Sequence, residues 1–181
     1  GMTESSGSGI VLEPEDGERK LGSCGKAMFH CSVRVWDANG KDAALNETGE
    51  LMLRGPIITK GYWNLPEQTK AAFTDGWFHT GDIARMDEEG YIYVVDRIKD
   101  MLITGGENVY PAEVEEVIMA HPKVAEVGVI GVPDERWGES VRAVVVPLPG
   151  QGLTAEDIQQ FCAGKLARYK IPKSVIFMDA L

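Results

Sequence analysis

The texture of the chain changes once, at Asp96, and that change limits the folds open to it. Before Asp96, short apolar segments are separated by glycine turns. Val33-Arg34-Val35-Trp36 alternates, residues 37–40 turn, residues 50–54 make a further strand, and Gly55-Pro56 breaks it. Residues 64–73 read as a short helix with Pro66 placed where a missing N–H costs least. Asp87-Glu88-Glu89-Gly90 is a hairpin turn between residues 83–86 and 91–95. After Asp96, strands and helices alternate. Pro111 opens a helix with Val114, Val117 and Ile118 at helical spacing until His121-Pro122. Residues 124–132, read as a strand buried on both faces, and 141–146 follow. Thr154, with Asp157 three positions on, caps a helix that turns Ile158, Phe161, Cys162 and Leu166 to one side, and residues 175–177 form a last strand. The expected class is α+β or mixed: a β-rich, barrel-like subdomain over residues 1–97, then a small α/β domain over 98–181. No Ser or Gly linker separates them, so the junction at residues 97–100 reads as a hinge rather than a tether.

A chain of 181 residues can bury one good core or two small ones. Its net charge of -10, from 28 acidic and 18 basic residues, disfavours a nucleic-acid partner, which needs a basic face to displace counterions. No apolar run approaches the roughly 20 residues that span a bilayer. The start lacks the basic and apolar regions of a secretory signal. Cys24, Cys31 and Cys162 are odd in number and lack metal spacing, which points to a reduced, cytoplasmic setting and ordinary packing. His30, His79 and His121 likewise lack metal spacing. Trp36, Trp63, Trp77 and Trp137 are expected to be core or interface anchors.

The densest chemistry lies in residues 74–115. Asp82 ends a His-Thr-Gly-Asp turn, and a carboxylate at a strand edge can accept both hydroxyls of a ribose; alone, such a residue is more often the aspartate of an ordinary turn. Arg97 at the junction is a permanently charged fork that can reach ribose or phosphate oxygens, or simply a surface partner of Asp96. Gly105-Gly106 permits close backbone approach to a ligand or a tight turn before the helix.

Taken together, DGWFHTGD, the tetrad Asp96-Arg97-Ile98-Lys99 and GGENVYPAE resemble the adenylate-forming (AMP-binding) superfamily of acyl-CoA synthetases, luciferases and nonribosomal adenylation domains. Gly1-Met2-Thr3-Glu4 matches the end of that family's YGMTE motif, residues 22–26 its glycine turn, and GELMLRGPIITKGYW a motif of mainly structural role. The resemblance implies that Asp82 and Arg97 bind the ribose of ATP and of the adenylate. It implies that Thr3 binds phosphate, that Glu4 helps hold Mg²⁺, and that Lys99 is the hinge. It implies that Gly105, Gly106 and Glu107 belong to the loop that in acyl-CoA synthetases faces the pantetheine arm of coenzyme A, which favours coenzyme A over a carrier protein as acceptor.

The implied activity is ATP-dependent activation of a small carboxylic acid, followed by thioester formation with release of AMP and pyrophosphate. A fatty acid is favoured, with arylacrylates open. In the family, the phosphate loop and acyl pocket precede the matched segment and a catalytic lysine follows it. The chain is therefore expected to be a carboxy-terminal portion, inactive alone, with no preceding strands to hold Thr3 and Glu4 in place. A peptide-synthetase-like or luciferase-like enzyme, and a noncatalytic nucleotide-binding module, are the alternatives.

Overall fold

The computed structural model describes residues 1–181 and divides them into two compact units, Gly1–Ile98 and Lys99–Leu181. In the first, β1 (Ile10–Val11) pairs antiparallel with β2 (Lys26–Ala27). Then come β3 (Ser32–Trp36), β4 (Gly49–Arg54), the short helix α1 (Pro66–Ala71), β5 (Phe73–Thr74), β6 (Trp77–Met86) and β7 (Ile92–Arg97). β3, β4 and β6 lie side by side, antiparallel. The outer side of β6 is divided: β5 pairs with Trp77 and Phe78, and β7 pairs from Asp82 to Met86. The barrel-like expectation is corrected here, because this is an open sheet with β3 at one edge and β5 and β7 at the other. A barrel needs a ladder that continues around to the first strand, and the interrupted side of β6 provides none.

Cys31, Val35, Leu51, Leu53, Ala84 and Ile92 form the core on one face of this sheet, and Phe78 and Met52 are also fully or almost fully buried. Trp77 is an anchor as expected, packed between the guanidinium groups of Arg34 and Arg54 at 4.8 and 4.6 Å from its ring. Trp63 is not part of the core, being 89% exposed. A charged clip ties the segment before β2 to the β6–β7 turn. In it Arg19 bonds to Asp16 and Glu89, Lys20 to Asp87 and Glu89, and Tyr91 donates to Asp16.

The second unit contains β8 (Leu102–Thr104), β9 (Glu107–Val109), α2 (Pro111–Met119), β10 (Val124–Asp134), β11 (Gly138–Pro147), α3 (Ala155–Cys162) and β12 (Ser174–Phe177). Its sheet runs β10-β11-β8-β9, with β12 parallel to β11. Val141, Ala143 and Val145 point every second side chain of β11 into a core completed by Val114 and Ile118 of α2 and Ile158 and Cys162 of α3. β10 was expected to be buried on both faces; instead Val129 is buried and its neighbour Ile130 is 48% exposed. An antiparallel sheet covered on one face alternates in this way. Thr154 and Asp157 form the capping box in both directions, at 3.2 and 3.0 Å. No helix is long and apolar enough to cross a membrane.

Candidate functional site

Asp82 stands where β6 is longer than its neighbour. Glu50 of β4 lies opposite Ile83 and Met52 opposite His79, so Thr80, Gly81 and Asp82 share the space facing Leu51 alone. The His-Thr-Gly-Asp segment is thus a bulge inside a strand, not the turn that its composition suggests. Gly81 supplies the φ of +74° that lets the chain swell. A bulge leaves backbone groups without ladder partners, and buried ones must find others. The Thr80 hydroxyl donates to the Leu51 carbonyl at 2.7 Å and accepts the Asp82 N–H at 3.0 Å. Glu50 Oε1 accepts the Gly81 N–H at 3.2 Å, and Oε2 lies 2.8 Å from His79 Nδ1. Because a carboxylate only accepts, the His79 proton belongs on Nδ1, leaving Nε2 to accept from the Thr74 hydroxyl at 2.8 Å.

Arg97 faces Asp82 across the β6–β7 ladder, with Nε 3.5 Å from Oδ1. Burial pushes the Asp82 carboxyl up, and Arg97 pulls it back without cancelling the rise. A carboxylate removed from water and matched at this distance by one largely exposed guanidinium is suited to accept further donors from a ligand. Asp82 and Thr80 line a cavity of about 160 Å³ together with Gly1, Met2 and Ser5.

The amino-terminal residues are held, contrary to expectation. Ser5 is buried and donates to the Gly7 carbonyl at 2.6 Å, closing a 3₁₀ turn over Thr3–Ser5. The Thr59 N–H donates to the Glu4 carbonyl at 2.7 Å, and the Tyr62 hydroxyl donates to Glu4 Oε1 at 3.1 Å. Support comes from a segment more than fifty residues later rather than from a preceding strand. Thr3 is exposed, and neither it nor Glu4 lines the Asp82 cavity.

In the second unit, Gly105 and Gly106 are the two-residue turn of the β8–β9 hairpin, with φ of +60° and +87°. Paired positive φ angles match the twist of a hairpin, and glycine reaches them freely. The turn is packed on the Gly105 side and open at Gly106: a Cβ on Gly105 would stand 2.7 Å from the Trp137 ring, and the Gly105 N–H donates to the Trp137 carbonyl at 2.9 Å. Trp137 is itself flanked by Arg136 and Lys173 and remains 40% exposed. Glu107 is exposed. Lys99 lies in a 3₁₀ turn over Ile98–Asp100, its side chain 70% exposed and its Nζ 4.0 Å from Asp100.

Residues 1–63 match the AMP-binding enzyme family, and residues 113–181 match the AMP-binding enzyme C-terminal domain. The chain belongs to the AMP-binding enzyme family. It is 50% identical to a long-chain-fatty-acid–CoA ligase of Mycobacterium tuberculosis over 99% of its own length and 35% of the relative's. It is 48% identical to an indoleacetate–CoA ligase of Aromatoleum aromaticum over all of its length and 36% of that enzyme. Among solved structures it matches the o-succinylbenzoate CoA synthetase of Bacillus subtilis in complex with its acyl-adenylate intermediate. There the TM-score is 0.91 and the identity 41%, covering all of this chain and 37% of that one. The same synthetase in complex with ATP and magnesium ion gives a TM-score of 0.89. The chain therefore spans about a third of the length of the curated relatives it matches.

Within this AMP-binding segment, the sequence motifs directed attention to Asp82 and Arg97, which the fold brings together. Glu50, Tyr62 and Trp137 were not singled out as site residues. Glu50 and Tyr62 lie in the GELMLRGPIITKGYW segment read as structural, and their contacts reach residues far along the chain. The presence of a carboxylate in that segment, two positions from the apolar strand centre at Met52, was the available signal.

Proposed function

We propose that this chain is part of an acyl-CoA synthetase of the cytoplasm that activates a fatty acid or a related carboxylic acid. In the first half-reaction a carboxylate oxygen attacks the α-phosphorus of ATP and pyrophosphate leaves. In the second, the coenzyme A thiol attacks the acyl carbonyl and AMP leaves. The observation that carries this reading is the desolvated Asp82 carboxylate beside Arg97, on a cavity shared with the amino-terminal turn. Asp82 accepts the ribose hydroxyls and Arg97 adds a charged donor at the same edge. Thr3 offers a hydroxyl to phosphate.

Glu4 fits a magnesium ion, since its carboxylate is a hard oxygen donor held in place by Tyr62. Bound there, Mg²⁺ would neutralise phosphate charge as the nucleotidyl group transfers. Lys99 is the pivot residue between the two domains, 1–97 and 98–181. The Gly105-Gly106 turn, with Glu107 beside it, is the surface for the pantetheine arm of coenzyme A. The curated relatives, named for long-chain fatty acid and indoleacetate ligation to coenzyme A, support this class of substrate and acceptor.

The whole protein, supplied with ATP, Mg²⁺, coenzyme A and a panel of fatty, aryl and arylacrylic acids, is expected to release AMP with at least one of them. Release with none overturns the proposal. Replacing coenzyme A by a phosphopantetheinylated carrier protein tests the acceptor. Asp82→Asn should raise the KM for ATP at least tenfold, as loss of hydrogen bonds to a charged acceptor of roughly 1.5–3 kcal/mol requires.

A further inference from the structure

We infer that Glu50 is a positioning residue for Asp82: its two carboxylate oxygens hold the widened part of β6, one on the Gly81 amide and the other on the His79 ring, and so fix where the Asp82 carboxylate stands. The inference rests on the reading of Asp82 as the ribose acceptor. The need for a brace follows from the strand pairing. On its inner side β6 fits Thr80, Gly81 and Asp82 into the space facing Leu51. On its outer side the ladder with β5 ends at Phe78, the His79 N–H donates to the Ala72 carbonyl at 2.9 Å, and the ladder with β7 starts at Asp82, so Thr80 and Gly81 have no partner there. Ladder hydrogen bonds therefore do not set the register of Thr80 and Gly81. Side chains set it instead, and each fixes a different atom: Thr80 ties Leu51 to the Asp82 amide, and Glu50 ties the Gly81 amide to His79.

Glu50 is suited to this by its place. It lies on β4 opposite Ile83, immediately beyond the bulge, with a side chain only 21% exposed, where a charge-assisted hydrogen bond to an amide is strong. His79 is anchored in turn by Thr74 of β5 and stands edge-on to Trp36 of β3 with ring centres 6.1 Å apart. The brace thus joins β3, β4, β5 and β6 around the bulge. Glu50 also acts on Asp82 through its charge, adding a repulsive contribution to the rise of that carboxyl.

The test uses the full 181-residue chain as wild type, Glu50→Ala, Glu50→Gln, Glu50→Asp and Asp82→Asn. The measurements are amide hydrogen exchange at Gly81, the titration of the Asp82 carboxyl by NMR, and calorimetry with AMP. In Glu50→Ala, Gly81 exchange should accelerate by on the order of tenfold, the loss of a hydrogen bond to a charged acceptor. AMP affinity should fall in parallel. Glu50→Gln keeps an acceptor for the Gly81 amide but removes the charge. It should preserve Gly81 protection while moving the Asp82 titration to lower pH, a change that a purely structural contact would not produce.

Unchanged Gly81 exchange in a folded Glu50→Ala overturns the inference. If Glu50→Ala does not fold, Glu50→Asp, whose shorter side chain cannot hold both the Gly81 amide and the His79 ring, decides by the same exchange measurement, and unchanged Gly81 protection overturns the inference. AMP affinity that is insensitive to Asp82→Asn sinks the ribose reading instead, and the Gly81 exchange still decides whether Glu50 braces the bulge.

Discussion

Each unit is built on a five-stranded sheet, but the two sheets differ in how their strands stay aligned. In the second unit, β10 and β11 pair almost without interruption from Val127 to Asp134, and alternate residues of β11 disappear under two helices. In the first, β6 loses register against both β4 and β7, and the breaks flank Asp82. The regular sheet is held by burial of apolar side chains. The irregular one is held around Asp82 by Thr80, Glu50 and His79, through directional hydrogen bonds. A bulge re-aims a side chain that a regular ladder would point at a fixed face, and the re-aimed residue here is the candidate ligand.

The largest effect that can break this comparison is in the cores. Ile158→Ala, at a fully buried position of α3, should destabilise the chain by about 2–5 kcal/mol, near the upper part of that range because two helices and a regular sheet resist collapse. Ile83→Ala, beside the bulge, should fall near the lower end of the same range, roughly 2 kcal/mol, because an irregular strand can close the void. Urea denaturation measures both, and equal losses would mean that the bulged sheet is as rigid as the regular one.

Next in size is the hairpin turn of the second unit. Gly106→Ala meets open space and should cost about 1–2 kcal/mol for its left-handed backbone alone. Gly105→Ala adds a collision with Trp137 and should cost clearly more. Thermal melts of the two variants would show whether the turn is pinned by its contact or only by its angles. A smaller loss, about 1 kcal/mol, is expected for Thr154→Ala, which removes the α3 cap; circular dichroism during chemical unfolding reads it.

The last effect, present in full at neutral pH and lost in acid, belongs to the charged clip of the first unit. Burial pushes the Asp87 carboxyl up, but hydrogen bonds from Lys20 and from the Tyr91 and Glu89 amides outweigh it and bring it down to about 2 from 3.8. A carboxyl whose pKa is depressed on folding contributes stability that is complete above its unfolded value and lost as pH falls through its folded one. Stability should therefore decline between pH 3.8 and about 2. Asp87→Asn should reduce that decline, leaving the part owed to the lowered Asp16 and Glu89 carboxyls, in melts recorded across this range, as tryptophan fluorescence can follow.

Local signals carried much of the fold. The Thr154-Asp157 box, Pro111 at the start of α2, and the turn at residues 87–90 each act within a few residues, so they read directly from the chain. Glycine between polar residues did not read so clearly, because Gly81 serves a bulge as readily as a turn. The strand opposite it decides between them. β8 and β9, three residues each, are too short for periodicity to reveal, although the glycine pair between them was visible. The size of Trp63 left core and interface both open, and its 89% exposure removes only the core, because burial depends on what packs against a side chain.

By itself, the sequence determined the change of texture near Asp96, the helix caps, and the motifs that single out Asp82 and Arg97, since all of these depend on residue type and short spacing. Only the tertiary structure decided that the first sheet stays open, that Asp82 sits on a braced bulge, and that Glu4 is gripped by Tyr62 and Thr59. These outcomes join residues 31 and 58 positions apart. Such contacts are selected by the burial and hydrogen-bonding demands of the whole sheet, which no local pattern encodes.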